Sequence, residues 1–220
     1  IYVAGMGEFE SDYYVDGEYP VSGIGEDDII LIKYLSTGKI EWADVYGGLN
    51  DDSTVSMSVA QDGGCLLNIS LYDSVKQEDY YSLIKYNSSG EIEWQKTTLN
   101  DYINTTPVGA DKLLVTTLID KEEELEDGEI IIPLGGSDAL LTMYNLNGEI
   151  EWYTLVSGEE FEQLVTPIAT KDGGILVGGL TNSTKMTING VEFNYEYDLG
   201  DHEMEAGVED IETFWDNNFR

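Results

Sequence analysis

Basic residues are nearly missing from this chain. Ten Lys and Arg stand against 44 Asp and Glu in 220 residues, a formal net charge of −34, and the one arginine is Arg220. Nucleic-acid binding depends on clustered Lys and Arg that displace counterions, so a nucleic-acid partner is excluded, and anionic membranes are disfavoured on the same ground. Cysteine is as scarce: Cys65 stands alone in "GGCLLNIS". That rules out an intramolecular disulfide and reads as inert packing in an apolar strand. With His202 as the one histidine, no His-pair zinc site can form, and a Ser-His-Asp triad would have to run through that tail residue. The Gly-Gly pairs lack the following Lys-Ser/Thr of a phosphate loop. No apolar run is long enough to span a bilayer, so membrane insertion is not expected. The chain opens on Ile1 without a signal peptide, and we read it as a mature form or a fragment that a secretion signal could precede.

What is present is apolar and aromatic enough to fold: 41% hydrophobic residues and 15 tyrosines argue for a β-rich globular protein. The acidic surface leaves three kinds of partner open, namely cations (Ca²⁺ above all), neutral sugars and basic protein surfaces. A solvated surface with no partner explains the charge equally simply. Four Asn-x-Ser/Thr sequons, at Asn68, Asn87, Asn104 and Asn182, are put down to chance in an Asn-, Ser- and Thr-rich chain.

Internal repetition dominates the pattern. "GKIEW" stands at 38–42 and "GEIEW" at 90–94 and 148–152, which spaces Trp42, Trp94 and Trp152 at 52 and 58 residues. Each Trp is preceded by a β-branched or aromatic run and a short Gly turn: "DDIILIKYLSTGKIEW", "DYYSLIKYNSSGEIEW" and "SDALLTMYNLNGEIEW". Each is followed by a second strand pair, marked by "QDGGCLLNIS", "GADKLLVTTL" and "KDGGILVGGL". The opening "IYVAGM" matches "ILVGGL", so the first unit starts partway through. "DGEYPV" (16–21) and "DGEIII" (127–132) predict an extra hairpin in two units, missing from the middle one, and "INGVEF" (188–193) predicts another after the third.

Short strands in units of 50–60 residues, with no helical period between them, point to radially arranged four-stranded sheets, with a stacked solenoid as the competing arrangement. A triplicated Trp can be a packing wedge between neighbouring sheets or a ligand-stacking platform; we expect the wedge. "GGSDALLTMYNLNGEIEW" (135–152), "YGGLNDDSTVSMSVAQDGG" (46–64) and "KDGGILVGG" (171–179) resemble the bacterial β-propeller repeats of large secreted and cell-surface proteins. The "TGKIEW" turn is also similar to the tryptophan-docking element of quinoprotein-type propellers. The resemblance covers about residues 1–190 and departs in the middle unit, where Asp-Gly-Gly and Tyr-Gly-Gly are missing. It implies an all-β, β-propeller-like repeat of four-stranded blades, about three of them present. A ring of so few units calls for further sequence, self-association or a degenerate last unit to complete it.

Residues 1–200 are therefore read as the repeat region and 201–220 as an acidic amphipathic tail. Val208, Ile211, Trp215 and Phe219 recur there at helix-like intervals, which predicts a short C-terminal helix; a decayed strand of a fourth unit is the alternative. Calcium candidates are "GEDD" (25–28), "NDDS" (50–53) and, in the tail, Asp201, Glu203, Glu205 and Glu212, which loosely follow a calcium loop whose Gly falls one place late. No cofactor other than Ca²⁺ is suggested, and no catalytic residue carries over from the resemblance. The function expected is a non-enzymatic extracellular or cell-surface scaffold that binds protein or glycan. The alternative is a carbohydrate-active enzyme using acidic residues of a propeller funnel.

Overall fold

A computed structural model describes residues 1–9, 13–126 and 128–194 of the chain. They form an all-β protein of several antiparallel sheets. The first unit holds β1 (Tyr2–Glu8), β2 (Tyr13–Val15), β3 (Tyr19–Val21), β4 (Asp27–Tyr34) and β5 (Ile40–Tyr46). The second holds β6 (Ser53–Val59), β7 (Cys65–Asp73), β8 (Glu78–Tyr86) and β9 (Ile92–Thr98). The third holds β10 (Asp101–Val108), β11 (Lys112–Ile119), β12 (Glu123–Glu124), β13 (Ile130–Ile131), β14 (Asp138–Asn145) and β15 (Ile150–Gly158). Beyond it come β16 (Glu162–Leu164), β17 (Ile168–Ala169), β18 (Ile175–Leu176), β19 (Gly179–Thr181), β20 (Lys185–Ile188) and β21 (Val191–Asn194).

Four strands in sequence order make the second unit's sheet, β6-β7-β8-β9, as the repeat predicts. The first unit differs. Its sheet is β1-β4-β5, and no strand equivalent to β6 lies on the free edge of β1 among the described residues. The third unit's four strands, β10-β11-β14-β15, are extended to six because β20 pairs with Val156–Gly158 and brings β21 with it. β16 with β19 and β17 with β18 form one interrupted pair across the Asp172-Gly173-Gly174 turn, the opening of a fourth unit.

The hairpins fall where Asp-Gly and Asn-Gly place them. β2–β3 turns through Asp16 and Gly17 and β20–β21 through Asn189 and Gly190, all four at positive φ, which these residue types tolerate. β12–β13 is the third such hairpin. The middle unit lacks one: β7 runs straight into β8 through residues 74–77. The expected tail helix lies outside the described residues. Among those described, no helix is long and apolar enough to cross a membrane.

Inner strands carry near-continuous apolar runs because both of their faces are covered. In β7, Cys65, Leu67 and Ile69 face Ile29, Leu31 and Trp42 of the first sheet, while Leu66 faces Leu113 and Val115 of the third. Leu114, Leu141 and Met143 then meet Ala169 and Ile175 of the β17–β18 pair. Successive sheets thus share one continuous series of apolar layers. Asn68 is fully buried in β7, which takes that sequon out of reach of glycosylation.

Candidate functional site

The repeated motif works at the joints between units. The turn before β5 is closed by Gly38 N–H donating to Leu35 O; Gly90 to Asn87 O and Gly148 to Asn145 O close the turns before β9 and β15 in the same way. All three glycines hold φ near +85° (83, 88 and 82), which favours glycine. Trp42 lies on the second of these turns. Its indole N–H donates to Ser88 O at 3.1 Å, and a Cβ on Gly90 would stand 2.7 Å from its ring. Trp94 repeats this one unit on, donating to Leu146 O at 2.8 Å with a Cβ on Gly148 excluded at 3.0 Å. The ring's other neighbour is a tyrosine: Tyr86 stacks on Trp42 at 6.2 Å between centroids, and Tyr144 meets Trp94 at 6.5 Å. Gly-x-Ile-Glu-Trp therefore carries both halves of one joint. Its Trp sits on the next unit's turn, and its Gly receives the previous unit's Trp. Trp152, in the third copy, packs against the buried cluster of Val108, Leu114, Leu141 and Met143, which Leu164, Ala169, Ile175 and Val177 of the fourth unit's opening also cover. For Trp42 and Trp94 these are packing contacts between neighbouring units.

Lysine and acid side chains line the same joints. Lys33 Nζ donates to Ser88 O at 2.6 Å and pairs with Glu41 at 3.2 Å. Lys85, its equivalent and fully buried, pairs with Asp62 at 2.8 Å and Glu93 at 2.9 Å and also donates to Tyr86 O. Burial would raise the Asp62 carboxyl, but hydrogen bonds from Lys85 and the Gly64 N–H bring it below its ordinary value. Met143 takes this place in the third unit, where Lys112 pairs with Glu151 at 2.6 Å instead. Cys65, inside the first joint, is fully buried, and burial pushes its thiol up to about 12, so no reactive thiolate forms there.

A second repeated feature is a pair of buried acids at the turn leaving β5 and β15. Asp28 Oδ2 accepts from the N–H of Ile24 at 2.7 Å, and Asp52 Oδ2 from Gly48 at 2.5 Å. Both carboxylates converge on the α-carbon of Gly47, where any Cβ would overlap Asp28 Oδ1. In the third unit Asp138 accepts from the N–H groups of Leu134 and Gly158, at 2.7 and 3.2 Å, and Glu162 accepts from the Thr181 hydroxyl at 2.7 Å. Burial raises the Asp52 and Asp138 carboxyls, and their acidic neighbours, Asp28 and Glu162, push the same way. So the structure brings "GEDD" and "NDDS" together at Asp28 and Asp52. The tail candidates Asp201, Glu203, Glu205 and Glu212 lie outside the described residues. Among the described residues no three His, Cys, Asp or Glu side chains are grouped to hold a metal ion.

Among the described residues are open clefts, two of them lined by acids. One, about 460 Å³, lies between the β2–β3 hairpin and β5, lined by Tyr14, Pro20, Ser22 and Asp44. The other, about 270 Å³, is lined by Asp79, Tyr81, Asp101 and Asp120. Asp44 accepts from Tyr86 Oη at 3.3 Å, and burial raises its carboxyl; Asp101 is raised by burial and by Asp120. No sequence signal marked Asp44 or Asp101, since neither stands in a repeated or ligand-like motif. Neither the known family models nor the curated proteins give a match to this chain.

Proposed function

We propose that this chain is part of a β-propeller-like array and works as a non-enzymatic binding scaffold, extracellular or at a cell surface, with protein or glycan ligands. The observation that carries this reading is the joint seen twice in register, Trp42 on the Gly90 turn and Trp94 on the Gly148 turn. A joint that always runs from one unit to the next builds an array whose geometry is set by packing, leaving its loops free to vary. The radial arrangement is supported by the first strands of successive units lying side by side. Ser58 of β6 and Thr105 of β10 share a hydrogen bond at 2.7 Å, and Thr106 of β10 donates to Pro167 O just before β17. The sequence resemblance to bacterial propeller repeats points the same way.

The cleft under the β2–β3 hairpin is our choice of binding surface. It sits on an insertion rather than on the shared frame, and Tyr13 and Tyr14 stand half exposed beside it, as rings that stack on sugars do. The repeated acids have a different part: Asp28 and Asp138 are fully buried and hold backbone N–H groups, which suits loop positioning. The test is a glycan microarray with the intact chain, followed by reducing-end release from every glycan bound. Binding lost in Tyr14→Ala, without release of product, is expected. Turnover abolished by Asp44→Asn would establish the carbohydrate-active alternative in its place.

A further inference from the structure

The first unit carries a complete indole seat that no described residue fills. Tyr34, Ser36 and Gly38 stand where Tyr86, Ser88 and Gly90 stand in the second unit and Tyr144, Leu146 and Gly148 in the third. The strand registers fix this equivalence: Lys33 is opposite Trp42, Lys85 opposite Trp94, and Met143 opposite Trp152. Gly38 has the same turn hydrogen bond and the same positive φ as its counterparts, yet no atom of the described residues lies within 4 Å of where its Cβ would be. Tyr86 and Tyr144 are buried under their indoles, whereas Tyr34 is only partly buried.

The strand beside this seat is bare as well. β1 corresponds to β7 and β11, each of which is covered along its other edge by β6 or β10. Val3 is 45% exposed where its counterparts Leu67 and Val115 are at 0%, and Ile1 is 76% exposed where Cys65 and Leu113 are at 0% and 1%. A long apolar strand edge of this kind is a template for another strand.

We infer that this face of the first unit is an interface for one segment of defined pattern: Gly-x-Ile-Glu-Trp, then a turn, then a β-strand pairing antiparallel with β1. The inference rests on the repeat-array reading. Its occupant is read from the interfaces already formed, since Gly90–Lys112 supplies both parts at once, Trp94 for the seat and β10 for the edge of β11. The incoming indole N–H donates to Ser36 O, its ring lies over Gly38 and against Tyr34 on the face that carries Ile1 and Val3, as Trp42 does on the face of Cys65 and Leu67, and its strand pairs with the free edge of β1.

Joining a copy of residues 90–112 directly to Ile1 tests this, because Ile1 occupies the place of Leu113 and the native spacing is kept. The extended chain should melt about 5–10 °C above the original. Hydrogen exchange at the β1 amides should slow at least about tenfold, and Gly38→Asn should remove most of both gains. Asn is used because it tolerates positive φ while adding a Cβ. In the unextended chain Gly38→Asn should leave the melting temperature within about 1–2 °C, the seat being empty. An extended chain with no gain, or a gain indifferent to Gly38→Asn, overturns the inference. So does exchange at β1 that slows with protein concentration alone, which would make a second copy the occupant. Gly90→Asn in the unextended chain separates the two levels. A fall in melting temperature keeps the array reading whatever becomes of the interface, and no fall removes the array reading itself.

Discussion

Gly90 has a hydrogen where any other residue would drive a carbon into Trp42, and that contact explains the motif's first letter better than the turn does. Positive φ alone would admit Asn; the indole face does not. Trp42 buries most of its surface among Tyr2, Cys65, Ile84 and Tyr86 and makes one polar bond, to Ser88 O. Trp42→Ala should therefore cost about 3–5 kcal/mol in urea unfolding, as removal of a large core ring does. Trp42→Phe keeps a ring but loses the N–H donor and should cost about 1–2 kcal/mol. Equal costs for the two would mean that the ring contributes nothing beyond its hydrogen bond. That Trp42 and Trp94 hold equivalent places was legible in the sequence, because the neighbouring residues repeat with them. The seat was not, since a Gly in "SSGE" or "NLNGE" is fully explained by its turn.

At the scale of elements, the hairpins were the most readable feature. Asp16-Gly17 and Asn189-Gly190 impose local backbone geometry that needs no distant partner. The meeting of Asp28 with Asp52, and of Asp138 with Glu162, depends on strand register across a whole unit, so two acidic stretches in sequence look alike whether or not they converge. Each pair anchors the chain where it leaves one sheet for the next. A carboxyl raised by burial, as in Asp52 and Asp138, has a higher value folded than unfolded. Its stabilising contribution is complete below the unfolded carboxyl range and is lost as pH rises through the folded value. Asp62 runs the other way, its stabilisation being lost as pH falls through its lowered value. Thermal stability should thus rise as pH drops from neutrality through the raised carboxyls, then fall in stronger acid as Asp62 takes up its proton. Asp138→Asn should flatten the rising part of that curve in melts taken across the pH range. A melting temperature that only declines below pH 7 would contradict the part given to these pairs.

For the molecule as a whole, a charge of −34 makes self-repulsion a standing cost of compactness. Salt shortens its range to about 10 Å at 0.1 M, so the melting temperature should climb with NaCl. Millimolar Ca²⁺ at fixed ionic strength should add a further increase if the acidic tail or the Asp28–Asp52 turn binds it, and indifference to both ions would dismiss cation binding. The joints also give the molecule a direction. Both of their indoles reach forward along the chain, Trp42 across 46 residues to Ser88 and Trp94 across 52 to Leu146. At about 5–20 residues per second, a ribosome delivers each anchoring turn some 2–10 s after the ring that needs it. During synthesis every sheet must wait, its largest apolar group uncovered, for its successor to emerge, so nascent chains halted between Trp94 and Leu146 are where chaperone capture and aggregation will concentrate.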